Sequence, residues 1–394
     1  MTRGTAAGQA GAAPGFFFAV IMHNDRMQTT RIKAAGIFFP VACLYAALAV
    51  PLSVYAMTTV TAWPPGLVAA GHAHEMLFGF ALLLVAGYLL STAAPVTLAA
   101  LLGLWLAARI SYELAPQSPA AEVLSPLYAL VLAVLVVPKF RSAKKWRNRS
   151  VMPLLLGLCL LPAAYAADVV FQGNVSRLQL LLSGIILLAL LMAFMGGRII
   201  APAAGGAFYR IGVNLRERVQ PRLEGAIIIL LAIAAIAVFL PYGRYGAGIA
   251  AGAGGLAAAV RLFRWRLWQL PGRQDLWCLG IGYGWLALGL LLLGSLMLAG
   301  VTPIPALHVI TVGALGTLSI CVMTRINLQY RKQDPAGDSR ISLAVALIAV
   351  ATVARFAAGI QPEVRTEVLW TAAGAWSLAY LLTAIRLLPS PSSG

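Results

Sequence analysis

Charge is what this sequence has least of. Of its 394 residues only 10% are Asp, Glu, Lys or Arg, and the whole chain holds 12 acidic residues and four histidines. A soluble domain carries about a quarter charged residues, so a water-soluble globule is excluded, and any proton or metal chemistry has few side chains to draw on. Cysteine is equally sparse: Cys43, Cys159, Cys278 and Cys321 stand singly inside apolar stretches. No C-x-x-C pair exists for metal binding, redox exchange or cofactor attachment, and the four read as small packing residues. A Walker loop, a G-x-G-x-x-G after a strand and a nucleophile elbow are also missing, which excludes an ATP-driven pump and a nicotinamide enzyme.

What the chain has is apolar residues, 61% of the total, in long unbroken blocks. Crossing a bilayer core takes about 20 of them per helix. That length finds about twelve candidate spans, at 34–57, 72–93, 95–112, 123–138, 151–170, 177–201, 223–241, 243–262, 276–300, 304–328, 340–359 and 367–388. No run alternates as a membrane barrel strand would, so the fold class expected is an all-α polytopic membrane protein. The stretch 1–33 is Gly- and Ala-rich and reads as a disordered tail, with Met22 and Met27 as alternative starts; 34–390 reads as one transmembrane helical domain embedded in lipid.

The net charge of +17 would suggest nucleic acid if it formed a surface patch, but the basic residues sit in short loops between spans, so no nucleic-acid partner is expected. All of the 29 except Arg109, Arg177, Arg244, Arg355 and Arg365 fall on one side when the spans alternate. By the positive-inside rule that side is cytoplasmic, and both termini lie there. An odd number of spans would scramble this bias. The run of small residues over 243–259 suits a helix approached closely by its neighbours.

An ionisable residue inside a span is a functional hypothesis by default, because leaving it unpaired in hydrocarbon costs several kcal/mol. The stretch Gly71-His72-Ala73-His74-Glu75-Met76-Leu77-Phe78-Gly79-Phe80 opens span two with two histidines and a carboxylate. At about 100° per residue, His72, Met76, Gly79 and Leu83 share one face and His74, Phe78, Ala81, Val85 and Tyr88 the opposite one. Either one histidine faces a cofactor and the other a second site, or His72 bends back from the turn before the helix. Glycines on the His72 face would leave room for a flat macrocycle. His308 lies one turn into span ten, which runs in the same direction as span two, so three of the four histidines are expected at one depth near the outer surface. One imidazole from each side of a ring is what axial ligation of a b-type haem needs. Glu75 either accepts the free N–H of a ligating histidine or pairs with a basic group. Arg198, in Gly196-Gly197-Arg198, and Arg325, in Met323-Thr324-Arg325, read either as interfacial anchors or as anion contacts. His23 belongs to the tail.

From His72 to Phe80, and again from Trp277 through Tyr283-Gly284-Trp285 to His308 and Arg325, the sequence resembles the NnrS family. His-Ala-His-Glu-Met-Leu-Phe-Gly is the distinctive motif, joined by Gly-Gly-Arg at 196–198 and by His308 followed by Gly313-Ala314-Leu315-Gly316. The resemblance implies a protein of the bacterial cytoplasmic membrane that binds haem b, reported in the family together with copper, and that is linked to nitric oxide as ligand, nitrosative stress and denitrification. It implies His72, His74, Glu75 and His308 as the metal-site group, with Gly79, Arg198 and Arg325 as further motif positions. Many members carry another histidine beyond Met-Thr-Arg, where this chain has Tyr330, which weakens the case for copper. The rival expectation is a secondary transporter, since twelve spans with both termini inside is a common transporter layout, although the two halves share no visible repeat.

Overall fold

The computed structural model describes residues 31–388 apart from 172–175, 216, 218 and 362. His23, Arg216 and Arg218 lie outside the described residues, as does the tail up to residue 30. Twelve long helices follow one another: α1 Ala35–Thr58, α2 Ala70–Leu89, α3 Pro95–Leu114, α4 Pro119–Phe140, α5 Trp146–Asp168, α6 Arg177–Arg210, α7 Pro221–Ala237, α8 Gly243–Gln269, α9 Gln274–Ala299, α10 Ile304–Tyr330, α11 Ser339–Ala357 and α12 Arg365–Leu387. Eleven are at least 18 residues long and apolar enough to cross a membrane; α7, at 17 residues, is one residue short of that length. The fold is therefore the expected all-α polytopic one. Span four, the shortest by sequence, begins four residues earlier than expected because Ser118 caps it, accepting from the Ala121 N–H at 3.3 Å, and Pro119 pre-sets the first turn.

Helix starts follow local chemistry elsewhere too. Ser176 and Gln179 form a capping box at the head of α6, Pro95 and Pro221 open α3 and α7, and the Asp338 carboxylate accepts from the Arg340 N–H at 3.2 Å to start α11. Two helices are not uniform. Glu75–Ala81 of α2 and Val309–Gly316 of α10 are wound as π-helix, the wider i→i+5 turn that often marks functional positions.

The helices sort into layers by burial. In α6 and α10, 78% of the most apolar window is buried, and in α2 67%, against 33% in α3 and α11. Helices α2, α6 and α10 thus form the centre, and the others surround it with apolar side chains turned outward, such as Leu48, Ile249 and Val353. A surface of that kind suits lipid.

Both ends of the described chain lie at one end of the bundle. A two-residue strand, β1 Ile32–Lys33, pairs antiparallel with β2 Thr92–Ala93 after α2. The Lys33 ammonium stands 3.8 Å over the Tyr330 ring at the end of α10, and Asn327 donates to the Leu387 carbonyl at the end of α12. The Lys139 ammonium, in the last turn of α4, donates to the Leu89 and Leu90 carbonyls at 2.9 and 2.8 Å. This is the end where most basic residues gather, called here the basic end.

The glycine run in α8 does what its composition suggests. A Cβ at Gly294 of α9 would lie 2.6 Å from the Gly248 carbonyl oxygen, and one at Gly255 2.8 Å from the Leu291 nitrogen, so α8 and α9 pack backbone to backbone. Gly294→Val is expected to force them apart and destabilise the protein by roughly 1–3 kcal/mol, whereas Gly103→Ala, which meets nothing within 4 Å, should leave it unchanged. Thermal unfolding of the two variants in detergent checks this.

Candidate functional site

Just inside α2 the side chains of four helices meet on Glu75, which is fully buried. Arg109 of α3, 2% exposed, donates from Nη1 to Glu75 Oε1 at 2.5 Å and from Nη2 to the Ser125 hydroxyl of α4 at 2.6 Å. The Tyr45 hydroxyl of α1 donates to Glu75 Oε2. His74 Nδ1 lies 3.0 Å from Glu75 Oε1, and because a carboxylate only accepts, Nδ1 carries the proton. The His74 ring is stacked on Tyr112, with centroids 3.7 Å apart and planes at 9°, and Phe78 and Tyr165 close the box around it. Both roles considered for Glu75 are thus present at once: it accepts from a histidine and pairs with an arginine.

The π turn explains how adjacent residues reach one network. Its wider winding rotates everything beyond Glu75 away from the faces drawn at 100° per residue, so Gly79 does not share the His72 face. A Cβ on Gly79 would lie 3.0 Å from Arg109 Cδ and Nη1 and 3.3 Å from Tyr45, and the Gly79 carbonyl accepts from Trp105 Nε1 at 3.0 Å. Gly79 makes room for the guanidinium. Gly87 likewise holds the Phe39 ring, 2.6 Å from where its Cβ would be. The glycines expected to leave space for a flat macrocycle are therefore filled by neighbouring side chains.

The second cluster joins α2, α10 and α11 at the end away from the basic residues. Arg355 acts electrostatically on both His72 and His308, and His72 on His308. His308 Nδ1 is 2.8 Å from the Ile304 carbonyl oxygen and donates to it, which leaves Nε2 as a free lone pair. His72 Nδ1 is buried with no hydrogen-bond partner. Arg355 has no carboxylate or hydrogen-bond partner among the described residues, and Arg365 lies near enough to repel it. An imidazole whose Nδ1–H is tied to a backbone carbonyl is the usual posture of a metal ligand, and the partnerless arginine suits an anionic group. A free imidazole nitrogen beside a guanidinium is a donor set that could hold a metal-bearing group with an anionic substituent. His74 stands apart from them in its aromatic box. Among the described residues no three His, Cys, Asp or Glu side chains gather as a metal cluster.

Arg198 and Arg325 lie at the basic end, each paired with a carboxylate. Glu224 of α7, 2% exposed, takes Arg147, Arg198 at 3.3 Å and Arg261 at 3.8 Å. Gly197 clears the way, since its Cβ would lie 2.1 Å from Arg261 Nη2. Arg325 Nη1 donates to Asp275 at 2.6 Å beside a two-pronged contact from Arg273. Each of the two arginines is held in an ion pair. Tyr330 is also at this end, under Lys33.

The model of the family described as NnrS protein matches residues 36–390. The chain belongs to the NnrS family. A search of curated proteins finds no match. Within this member, sequence reasoning missed Tyr45, Arg109, Arg355, Glu224 and Asp275. Arg109 was counted only among the five basic residues opposite the basic side, yet a carboxylate set inside a span demands a cation nearby, and Arg109 is the only basic residue within the apolar part of the first four spans. Arg355 also lies inside a span, 340–359, but its neighbours come from helices far away in sequence and could not be named.

Removing one member of a buried pair leaves an uncompensated charge at about 3–5 kcal/mol. Glu75→Leu alone is expected to destabilise the detergent-solubilised protein by that order, and Glu75→Leu with Arg109→Leu to recover much of the loss, as a thermal double-mutant cycle would show.

Proposed function

We propose that this NnrS-family member is a haem-b protein of the bacterial cytoplasmic membrane that captures nitric oxide near the periplasmic surface and contributes to nitrosative-stress resistance or denitrification. The observation that carries the reading is the pairing of His308, its Nδ1–H bound to the Ile304 carbonyl and its Nε2 free, with His72, whose buried Nδ1 lacks a partner. Both lie in the first turns of helices that run in the same direction. The excess of Lys and Arg at the opposite end supports a cytoplasmic orientation for that end.

When bound, ferrous haem supplies the reducible iron that takes nitric oxide. The chain's own residues do the rest. His72 and His308 would hold the ring as neutral donors, and Arg355 would neutralise a propionate. The π turns at Glu75–Ala81 and Val309–Gly316 aim the two helices' histidines without a break in either span. His74 keeps the wall of the site rigid through Glu75 and Arg109 rather than ligating. Copper finds less support, because the histidine that many members carry is Tyr330 here and that ring faces Lys33.

Twelve helices with both chain ends at one face also suit a secondary transporter, and one experiment separates the two. Absorption spectra of purified protein, oxidised, reduced and exposed to nitric oxide, are expected to show a b-type Soret band that shifts with nitric oxide. The band should be lost in His308→Ala and His72→Ala and kept in His74→Ala. A protein that stays colourless after haem supply during expression, with the variants folded alike, would remove the haem reading and leave the transporter.

A further inference from the structure

The proposed function uses no cysteine, yet two of the four face each other across α9 and α10. These helices run antiparallel, and their register can be followed turn by turn. A Cβ on Gly289 would meet Ile310, one on Gly313 would meet Trp285, and one on Gly282 would meet Leu318 and Thr317 at 2.9 and 3.1 Å. One further turn toward the basic end, the same register sets Cys278 opposite Cys321. At Gly289 a Cβ would lie 3.0 Å from the Ile310 backbone nitrogen, so the two backbones run near each other, as a bridge between facing cysteines requires. Both residues are free and buried.

Their surroundings differ. Cys278 lines a pocket of about 380 Å³ between α9 and α11, walled by Pro271, Gly272, Arg273, Trp277 and Ser342 at the basic end. Its Sγ lies 3.9 Å from the Ser342 hydroxyl. Cys321 stands behind it, outside that pocket. Cys43 packs against Met323 with its Sγ 3.8 Å from the thioether sulfur, and Cys159 is buried in the core. One reachable thiol with a second directly behind it is the arrangement of an attacking and a resolving cysteine.

We propose that Cys278 and Cys321 form a reversible dithiol–disulfide pair, oxidised by a small peroxide that enters the α9–α11 pocket. The Cys278 thiolate attacks one oxygen of hydrogen peroxide; an S–O bond forms, the O–O bond breaks and hydroxide leaves. Sulfur is oxidised to the sulfenic acid and the peroxide is reduced. The Cys321 sulfur then attacks the Cys278 sulfur; an S–S bond forms, the S–O bond breaks, and the departing hydroxide takes the Cys321 proton as water. Two thiols and one peroxide give one disulfide and two waters, and a dithiol reductant reverses the change. In a reducing cytoplasm such a bridge is transient and reports oxidant load. It would cross-link α9 to α10, the helix that carries His308. The inference does not depend on haem.

Full-length protein in detergent, treated with hydrogen peroxide, denatured and alkylated with a maleimide, gives the test. Expected is protection of Cys278 and Cys321, recovered as one cross-linked peptide pair and restored by dithiothreitol, with Cys278 consumed about tenfold or more faster than Cys43 and Cys159. In Cys321→Ser, Cys278 should stop at a sulfenic acid that dimedone traps; in Cys278→Ser, Cys321 should remain a free thiol. Four alkylatable thiols in the wild type, at a peroxide dose that consumes the thiol of a free cysteine peptide, would overturn the proposal. So would loss of Cys43 or Cys159 as fast as Cys278.

Discussion

A carboxylate and a guanidinium cannot be taken out of water into a helical bundle unless each is the other's solvent. Glu75 and Arg109 are both almost wholly buried, and the desolvation of two such ions is recovered only with good geometry and with further hydrogen bonds on the remaining lone pairs and protons. Tyr45, Ser125 and His74 supply those bonds. Much of the first third of the chain depends on that requirement. It draws α1, α2, α3 and α4 to one point, demands a glycine at 79 so that the guanidinium can pass, and orients His74 by its Nδ1–H. The π turn begins at Glu75 itself, where an ordinary α turn would aim Gly79 elsewhere.

The two ends of the bundle treat positive charge differently. At the basic end arginines are gathered onto single carboxylates: three around Glu224, two around Asp275, and Arg386 on Asp338 at 2.8 Å. Those pairs tie α5, α6, α7 and α8 together, and α9 to α10. At the other end Arg355 is held beside His72 and His308 with no carboxylate, and the described residues give it no partner. Among the described residues, Arg222 and Arg340 at the basic end also lack a carboxylate but are exposed, whereas Arg355 is half-buried. A half-buried cation without a counter-ion is what would let the α2–α10–α11 corner take the anionic group that the proposed function requires.

Span number and the gathering of basic residues at one end were legible because each follows from a local quantity, the length of an apolar run or the charge of a short loop, whereas limits shifted where helices run past the apolar core, as α6 does to Arg210. The small-residue run of α8 was legible for the same reason. The candidate histidines and Glu75 stood out because ionisable residues are so few. Their grouping was not legible: a face drawn at one fixed rotation per residue put Gly79 with His72, and the structure places it beside Arg109 and Tyr45. Nor could the glycines be read as empty space, since a glycine in a packed bundle shows only that something comes close, and here that something is Phe39 or a guanidinium.

The sequence by itself therefore determined what kind of molecule this is: a helical membrane protein of the NnrS family, with very few side chains capable of chemistry. Apolar length and scarcity of charge leave no other fold. Which of those side chains meet was decided only by the tertiary structure. Contacts such as Glu75 with Arg109, Glu224 with Arg198 and Arg261, and Asp275 with Arg325 join different helices of the chain. No local pattern encodes such contacts, because they are set by how neighbouring helices pack.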